Sequence, residues 1–137
     1  MKYMVSSELE TKNVATEFAS KLKNGDVVLL NGDLGAGKTT FTRFVLHARG
    51  VKDIVNSPTF SIMKTYVGDT TFHHFDTYRI STEEAIEAGF DEVLEDKDSI
   101  IFIEWSENIA SLLPRHYYII NIKNTGEEAR EIEIINE

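Results

Sequence analysis

The sequence predicts an α/β domain: a mixed sheet, part parallel and part antiparallel, flanked by helices. Three observations carry that prediction. Residues 26–31, Asp-Val-Val-Leu-Leu-Asn, form a short apolar run between Gly25 and Gly32, the pattern of a buried strand, and a helical pattern begins just beyond it. Residues 100–103, Ile-Ile-Phe-Ile, are a second fully apolar run of strand length. Two further pairs of strand-like runs are joined by turns, Gly68-Asp69 in one and Asn124-Thr125-Gly126 in the other. Buried strands separated by helices predict parallel pairing and turn-joined runs predict antiparallel pairing, so both are expected in one sheet.

Each element has a local reason. Ser7 and Glu10 make a capping box for a first helix reaching about residue 23, with Val14, Ala15, Phe18, Ala19 and Leu22 on its buried face and Asn24-Gly25 as its stop. The strand at 26–31 follows. A helix over 39–49 sets Phe41, Phe44, Val45 and Ala48 at helical spacing and stops at Gly50. After a loop through Asn56-Ser57-Pro58-Thr59 come strands at 60–67 and 70–75. Ser81 and Glu84 form a second capping box before a short helix stopped by Gly89. The strand at 100–103 leads to a helix capped by Ser106 and running to Leu113, and runs 117–122 and 129–135 close the chain as a hairpin. No repeat, linker or low-complexity stretch divides residues 1–137, so they form a single domain.

Between the first predicted strand and its helix stands Gly32-Asp33-Leu34-Gly35-Ala36-Gly37-Lys38-Thr39-Thr40, which contains the phosphate-binding pattern G-x-x-x-x-G-K-[ST]. Its glycines let the backbone take positive φ and approach a ligand closely, so that successive N–H groups point into one concavity. The residues expected to contact a nucleotide are Gly32, Leu34, Gly35, Ala36, Gly37, Lys38, Thr39 and Thr40. Lys38 reads as a solvent-facing lysine whose charge serves β- and γ-phosphates, and the Thr39 hydroxyl as a ligand to Mg²⁺. The helix that starts here adds the positive end of its dipole. The fold expected is therefore a P-loop NTPase-like mixed sheet. None of the eight glycines has an aspartate three residues before it, and no N-K-x-D segment exists, which argues against guanine and leaves ATP with Mg²⁺ as the expected cofactor pair.

Such a loop needs an acid near its metal, at the carboxyl end of a neighbouring strand. Two positions compete: Glu104, directly after the run 100–103, and Asp76, after Phe72-His73-His74-Phe75, which reads as a partly exposed strand. The simplest division makes Glu104 the metal-side acid beside Thr39, and gives Asp76 a role near the γ-phosphate or its attacking water. Asp76, Glu104 and Lys38 are then the catalytic set. His73 and His74 invite a metal reading with Asp76, but adjacent residues of a strand face opposite sides, so packing or hydrogen bonding is the favoured role. Trp105, the only tryptophan, reads equally as a lid or docking residue or as core. Residues 83–98 carry eight acids against one lysine, a solvated helix face or a docking surface.

Composition narrows the class. The chain has 137 residues, a formal net charge of −9 and no cysteine, so disulfides and thiolate metal sites are excluded and free nucleic acid is repelled. Any contact with RNA is expected to run through a partner protein. No apolar run approaches a membrane span and the first residues lack a signal-peptide pattern, so the expected location is the cytoplasm.

Four motifs in fixed order, GDLGAGKTT (32–40), SPTF (57–60), HFDTYR (74–79) and IEW (103–105), closely resemble the bacterial TsaE/YjeE family over nearly the whole chain. That family consists of small ATPases needed for the threonylcarbamoyladenosine modification of tRNA. The resemblance implies a P-loop fold, a cytoplasmic location and action with TsaB and TsaD, with TsaC supplying threonylcarbamoyl-adenylate. It also implies that Thr39 and Glu104 hold Mg²⁺, that Asp76 serves ATP hydrolysis and that Ser57-Pro58-Thr59 is a switch loop. One departure concerns the closing hairpin: family members often carry an arginine soon after its glycine, whereas Glu127 and Glu128 follow Gly126 here and Arg130 comes later. The competing reading is a stand-alone small-molecule kinase. The scattered arginines, with none near Arg79 or Arg115 in sequence, offer no arginine-rich lid for it, and the acidic surface suits a docked switch better.

Overall fold

The computed structural model describes residues 1–32, 37–55, 63–77, 81–104 and 106–136. Their elements run β1 (Lys2–Val5), α1 (Glu8–Ala19), β2 (Val27–Asn31), α2 (Lys38–Ala48), β3 (Met63–Val67), β4 (Thr71–Asp76), α3 (Thr82–Glu87), α4 (Phe90–Glu95), β5 (Ser99–Glu104), a 3₁₀ segment (Ser106–Leu112), β6 (Tyr118–Asn124) and β7 (Arg130–Asn136). Among the described residues seven strands form one sheet in the order β1-β7-β6-β2-β5-β4-β3. β2 pairs parallel with β5 and β6, and β5 parallel with β4. The pairs β1–β7, β6–β7 and β3–β4 are antiparallel. The mixed sheet expected from the sequence is the one observed.

Alternation along the central strands sends side chains to two cores. Val28 and Leu30 of β2 pack with Phe18, Phe41 and Val45 of α1 and α2, while Val27 and Leu29 pack with Phe90, Leu94 and Ile109 on the other face. Helices on both faces are why β2 is apolar throughout rather than alternating. Edge-to-face rings tie the layers together: Phe18 with Tyr118 at 5.1 Å and Phe75 with Phe90 at 4.3 Å between centroids.

Several boundaries differ from expectation. α1 ends at Ala19 because the chain tightens into i→i+3 turns there, and the Lys23 N–H is taken by the Asp26 carboxylate at 2.7 Å. The first capping box is shifted: Ser7 Oγ accepts from the Glu10 N–H, but the Glu10 carboxylate accepts from Ser6 N and Oγ. Beyond Gly89 the chain re-enters a helix, α4, which the sequence reading lacks. The helix expected from Ser106 is a 3₁₀ segment broken at the fully buried Ile109, whose φ of −128° is non-helical. β4 lies between β3 and β5 with Phe72, His74 and Phe75 buried, while Thr71, His73 and Asp76 are only partly buried, in keeping with the partly exposed strand expected. Residues 60–62 of the strand expected at 60–67 lie outside the described residues, and β3 begins at Met63. Among the described residues no helix is long and apolar enough to cross a membrane.

The sheet's register sets up the site. Leu30 of β2 and Asp76 of β4 are both Cα partners of Glu104 on β5. The carboxyl ends of three parallel strands therefore come level, with Gly32 two residues beyond Leu30. That is where open α/β sheets place ligands.

Candidate functional site

The glycine-rich loop joins β2, a fully anchored strand, to α2. Gly32 and Gly37 frame it; Leu34, Gly35 and Ala36 lie outside the described residues, as do Ser57-Pro58-Thr59, Arg79 and Trp105. Gly37 is the N-cap of α2 at φ 103°, in the left-handed region where a side chain is strained. Being glycine, it offers no side-chain cap, and no acid stands in the first turn of α2. The positive end of this 11-residue helix therefore meets no acid from its own first turn, an arrangement suited to an anion.

Lys38 is the first residue of α2 and is buried, at 6% exposure, which corrects the expectation of a solvent-facing lysine. Its Nζ lies 3.7 Å from Glu104 Oε1. The helix turn that carries it is pinned by Thr42 Oγ1 donating to the Lys38 carbonyl at 2.9 Å and by the Phe41 N–H donating to Gly37 O at 2.9 Å. Thr39 and Thr40 follow in the same turn, half-buried.

Glu104 is the last residue of β5 and 3% exposed. Its Oε2 is hydrogen-bonded to His74 Nε2 at 2.7 Å. Its backbone carbonyl accepts from both the N–H (3.1 Å) and the Oγ1 (2.9 Å) of Thr77, which locks the ends of β4 and β5 together. Asp76, directly opposite Glu104 in register, is half-buried. Opposed residues of a pleated sheet project to the same side, so Asp76, His74 and Glu104 all face α2. His73 points the other way and meets Thr65 Oγ1 through Nδ1 at 2.9 Å. The hydrogen-bonding role expected for the histidines is thus the one seen.

A buried carboxylate already balanced by an ammonium can equally face a hard cation, and its oxygen is the donor type that Mg²⁺ takes. Among the described residues no group of three His, Cys, Asp or Glu could cage a metal. A cation held here would draw its other ligands from hydroxyl, phosphate and water oxygens, the usual habit of Mg²⁺. The residues present fit that ion.

Two residues that the sequence reading named make contacts it did not assign. His74 is one. The other is Arg130 at the start of β7, whose Nη1 donates to Gly126 O (3.2 Å) and Ala129 O (2.7 Å) and so ties the hairpin turn. Its Nε would stand 3.4 Å from a Cβ placed on Gly37. An open cleft beside the first turn of α2 is lined by Thr11, Gly37, Thr40, Ile122 and Arg130, with the acids Glu8, Glu127 and Glu128 also on its wall. No local pattern marks these residues, because they meet only through the sheet order.

The fold and site define an α/β protein in which a phosphate-loop sequence joins the central parallel strand to a helix backed by a buried lysine–glutamate pair. The family model described as threonylcarbamoyl adenosine biosynthesis protein TsaE matches residues 5–132, and the chain belongs to that family. The tRNA threonylcarbamoyladenosine biosynthesis protein TsaE of Rickettsia typhi is 44% identical over 138 residues, 98% of this chain and 94% of its own. The protein of the same name from Bacillus subtilis is 41% identical over 133 residues, 96% of this chain and 83% of its own. The crystal structure of Bacillus subtilis YdiB matches with a TM-score of 0.80 at 37% identity, over 96% of this chain and 82% of that one. The resemblance read from the four motifs is borne out.

Proposed function

We propose that this chain is the ATP-binding and ATP-hydrolysing component of tRNA threonylcarbamoyladenosine synthesis, working as a nucleotide-gated switch on partner proteins of the TsaB and TsaD type. The single observation that carries the reading is the Lys38–Glu104 pair, 3.7 Å apart and buried, set behind an uncapped helix N-terminus that follows G-x-x-x-x-G-K-T. Family membership carries the biosynthetic assignment. Backbone N–H groups of Gly32, Leu34, Gly35, Ala36 and Gly37, with Thr40, would cradle the phosphates, and Lys38 would neutralise the β- and γ-oxygens. Thr39 and Glu104 would hold Mg²⁺, which supplies charge stabilisation across the transferring phosphoryl group when bound. Asp76, level with Glu104 on the next strand, would position the attacking water.

The kinase alternative is not favoured. Arg49 is committed to Asp69 Oδ2 at 2.7 Å and to the carbonyls of Ala19 and Leu22, and Arg130 to its own hairpin. Neither supports a closing arginine lid. A net charge of −9 supports reaching tRNA only through partners, and the lack of cysteine supports a cytoplasmic location. The test measures ATPase rate alone and with a TsaB–TsaD pair, and partner affinity with ADP, with a non-hydrolysable ATP analogue and without nucleotide. Slow turnover alone, stimulation by the pair and nucleotide-dependent affinity are expected. Equal affinities in all three states, with fast turnover on a small acceptor, would sink the switch.

A further inference from the structure

His74 is an awkward residue for its position. It lies in β4 between Phe72 and Phe75, 0% exposed, at a site where an apolar ring would bury at no polar cost. Its Nδ1 is buried and, among the described residues, has no hydrogen-bond partner. Among the described residues the one hydrogen bond its ring makes is the 2.7 Å contact to Glu104 Oε2. A histidine kept for packing would be expected to satisfy both nitrogens, or to be replaced by something like its phenylalanine neighbours. This one leaves a nitrogen unpaired and keeps the contact to Glu104.

We infer that His74 is a positioning residue for the Glu104 carboxylate, orienting it toward the cation side of the site without itself touching nucleotide or metal. This deepens the assignment of Glu104 as the Mg²⁺-side acid and rests on it. An ionised carboxylate only accepts, so the proton of the shared hydrogen bond sits on His74 Nε2, which fixes the ring's tautomer. The terminal torsion of a glutamate is broad and soft, and two nearly equivalent oxygens can exchange places. With Oε2 held by His74, Oε1 is the oxygen left facing Lys38 and the first turn of α2. The geometry therefore selects which oxygen a cation meets and holds it there before binding. Outer partners of ligating groups act in this way, and their loss typically weakens metal affinity about 10- to 100-fold.

The test uses the full chain and two amides of different reach. The amide nitrogen of Gln falls near the position of histidine Nε2, and that of Asn near Nδ1. In H74N the contact to Glu104 is lost; in H74Q it is kept. Binding of a non-hydrolysable ATP analogue is titrated against Mg²⁺ by calorimetry, and again in EDTA, with Glu104→Gln as reference. We expect H74N to raise half-saturating Mg²⁺ about 10- to 100-fold while leaving the affinity in EDTA unchanged, and H74Q to restore most of the loss. Nitrogen-15 NMR of the wild-type protein, which needs no variant to fold, should place the proton of His74 on Nε2. Equal shifts in the two variants, no shift in H74N, or a proton on Nδ1 would each overturn the inference. If Glu104→Gln itself leaves the Mg²⁺ requirement unmoved, the assignment of Glu104 fails first and takes this inference with it.

Discussion

Asp76 and Glu104 stand opposite each other at the last positions of β4 and β5, project to the same side and occupy different environments. Glu104 is 3% exposed and held by Lys38 and His74, while Asp76 is half-buried. A caged carboxylate suits a metal, and one nearer solvent suits a water. Replacing either with alanine should lower kcat by roughly 10²–10⁴. Only Glu104→Ala should raise the Mg²⁺ concentration needed for half-maximal ATPase. A shifted Mg²⁺ curve for Asp76→Ala alone would exchange the two roles.

The burial of Lys38 adds a structural cost to its removal. Lys38→Met keeps length and volume but leaves the Glu104 carboxylate buried without its cation. Breaking a buried pair on one side costs on the order of 3 kcal/mol. The variant should lose ATP affinity by calorimetry and also unfold at lower urea. The double variant Lys38→Met, Glu104→Gln should recover much of that stability while remaining inactive. An unchanged urea midpoint in the single variant would show that the pair contributes nothing.

His73 supplies a pH dependence with a definite sign. Burial holds its imidazole below the usual value of 6.5, opposed in part by Asp96. In the window between the lowered folded value and 6.5 the unfolded chain binds more protons, so stability there rises with pH. The contribution is complete above pH 6.5 and is lost as pH falls below it. Urea unfolding on both sides of that value should show a slope that His73→Gln reduces. An identical slope in the variant would refute the assignment.

Gly68 sits in the β3–β4 turn against the end of α2. A Cβ there would lie 2.4 Å from the Arg49 carbonyl oxygen and 2.9 Å from Val51 N, backbone atoms that cannot swing aside. The same contact carries the Asp69 N–H to Arg49 O hydrogen bond at 2.7 Å. Gly68→Ala should destabilise by about 1–3 kcal/mol, read as a lower thermal midpoint. A midpoint equal to wild type would mean that the turn yields easily.

Legibility followed sequence distance. β2 could be read because four apolar residues between two glycines need both faces covered, and α3 because Ser81 and Glu84 do complete their capping box, each bond 3.2 Å long. The places of Lys38 and Thr39 at the start of α2 were legible because G-x-x-x-x-G-K-[ST] stands between a strand and a helix, and those of Asp76 and Glu104 because each ends a strand-like run. β1 was not, since Lys2–Val5 is too short for a periodic signal and gains its identity only by pairing with Arg130–Asn136. His74 resisted for the same reason: its partner is thirty positions away, and nothing local separates it from a core residue.

The pairing of β1 with β7 has a consequence for how the molecule comes into being. Among the described residues β1 pairs only with β7, well over a hundred positions further along the chain, and β2, which feeds the glycine loop, pairs with β6 just before it. Contacts of such long sequence separation are slow to form, because the loop entropy is lost before the pairing rewards it. A growing polypeptide thus carries β1 and one side of β2 as open edges until the β6–β7 hairpin is available. A chain interrupted before residue 130 therefore leaves β1 without the strand that it pairs with.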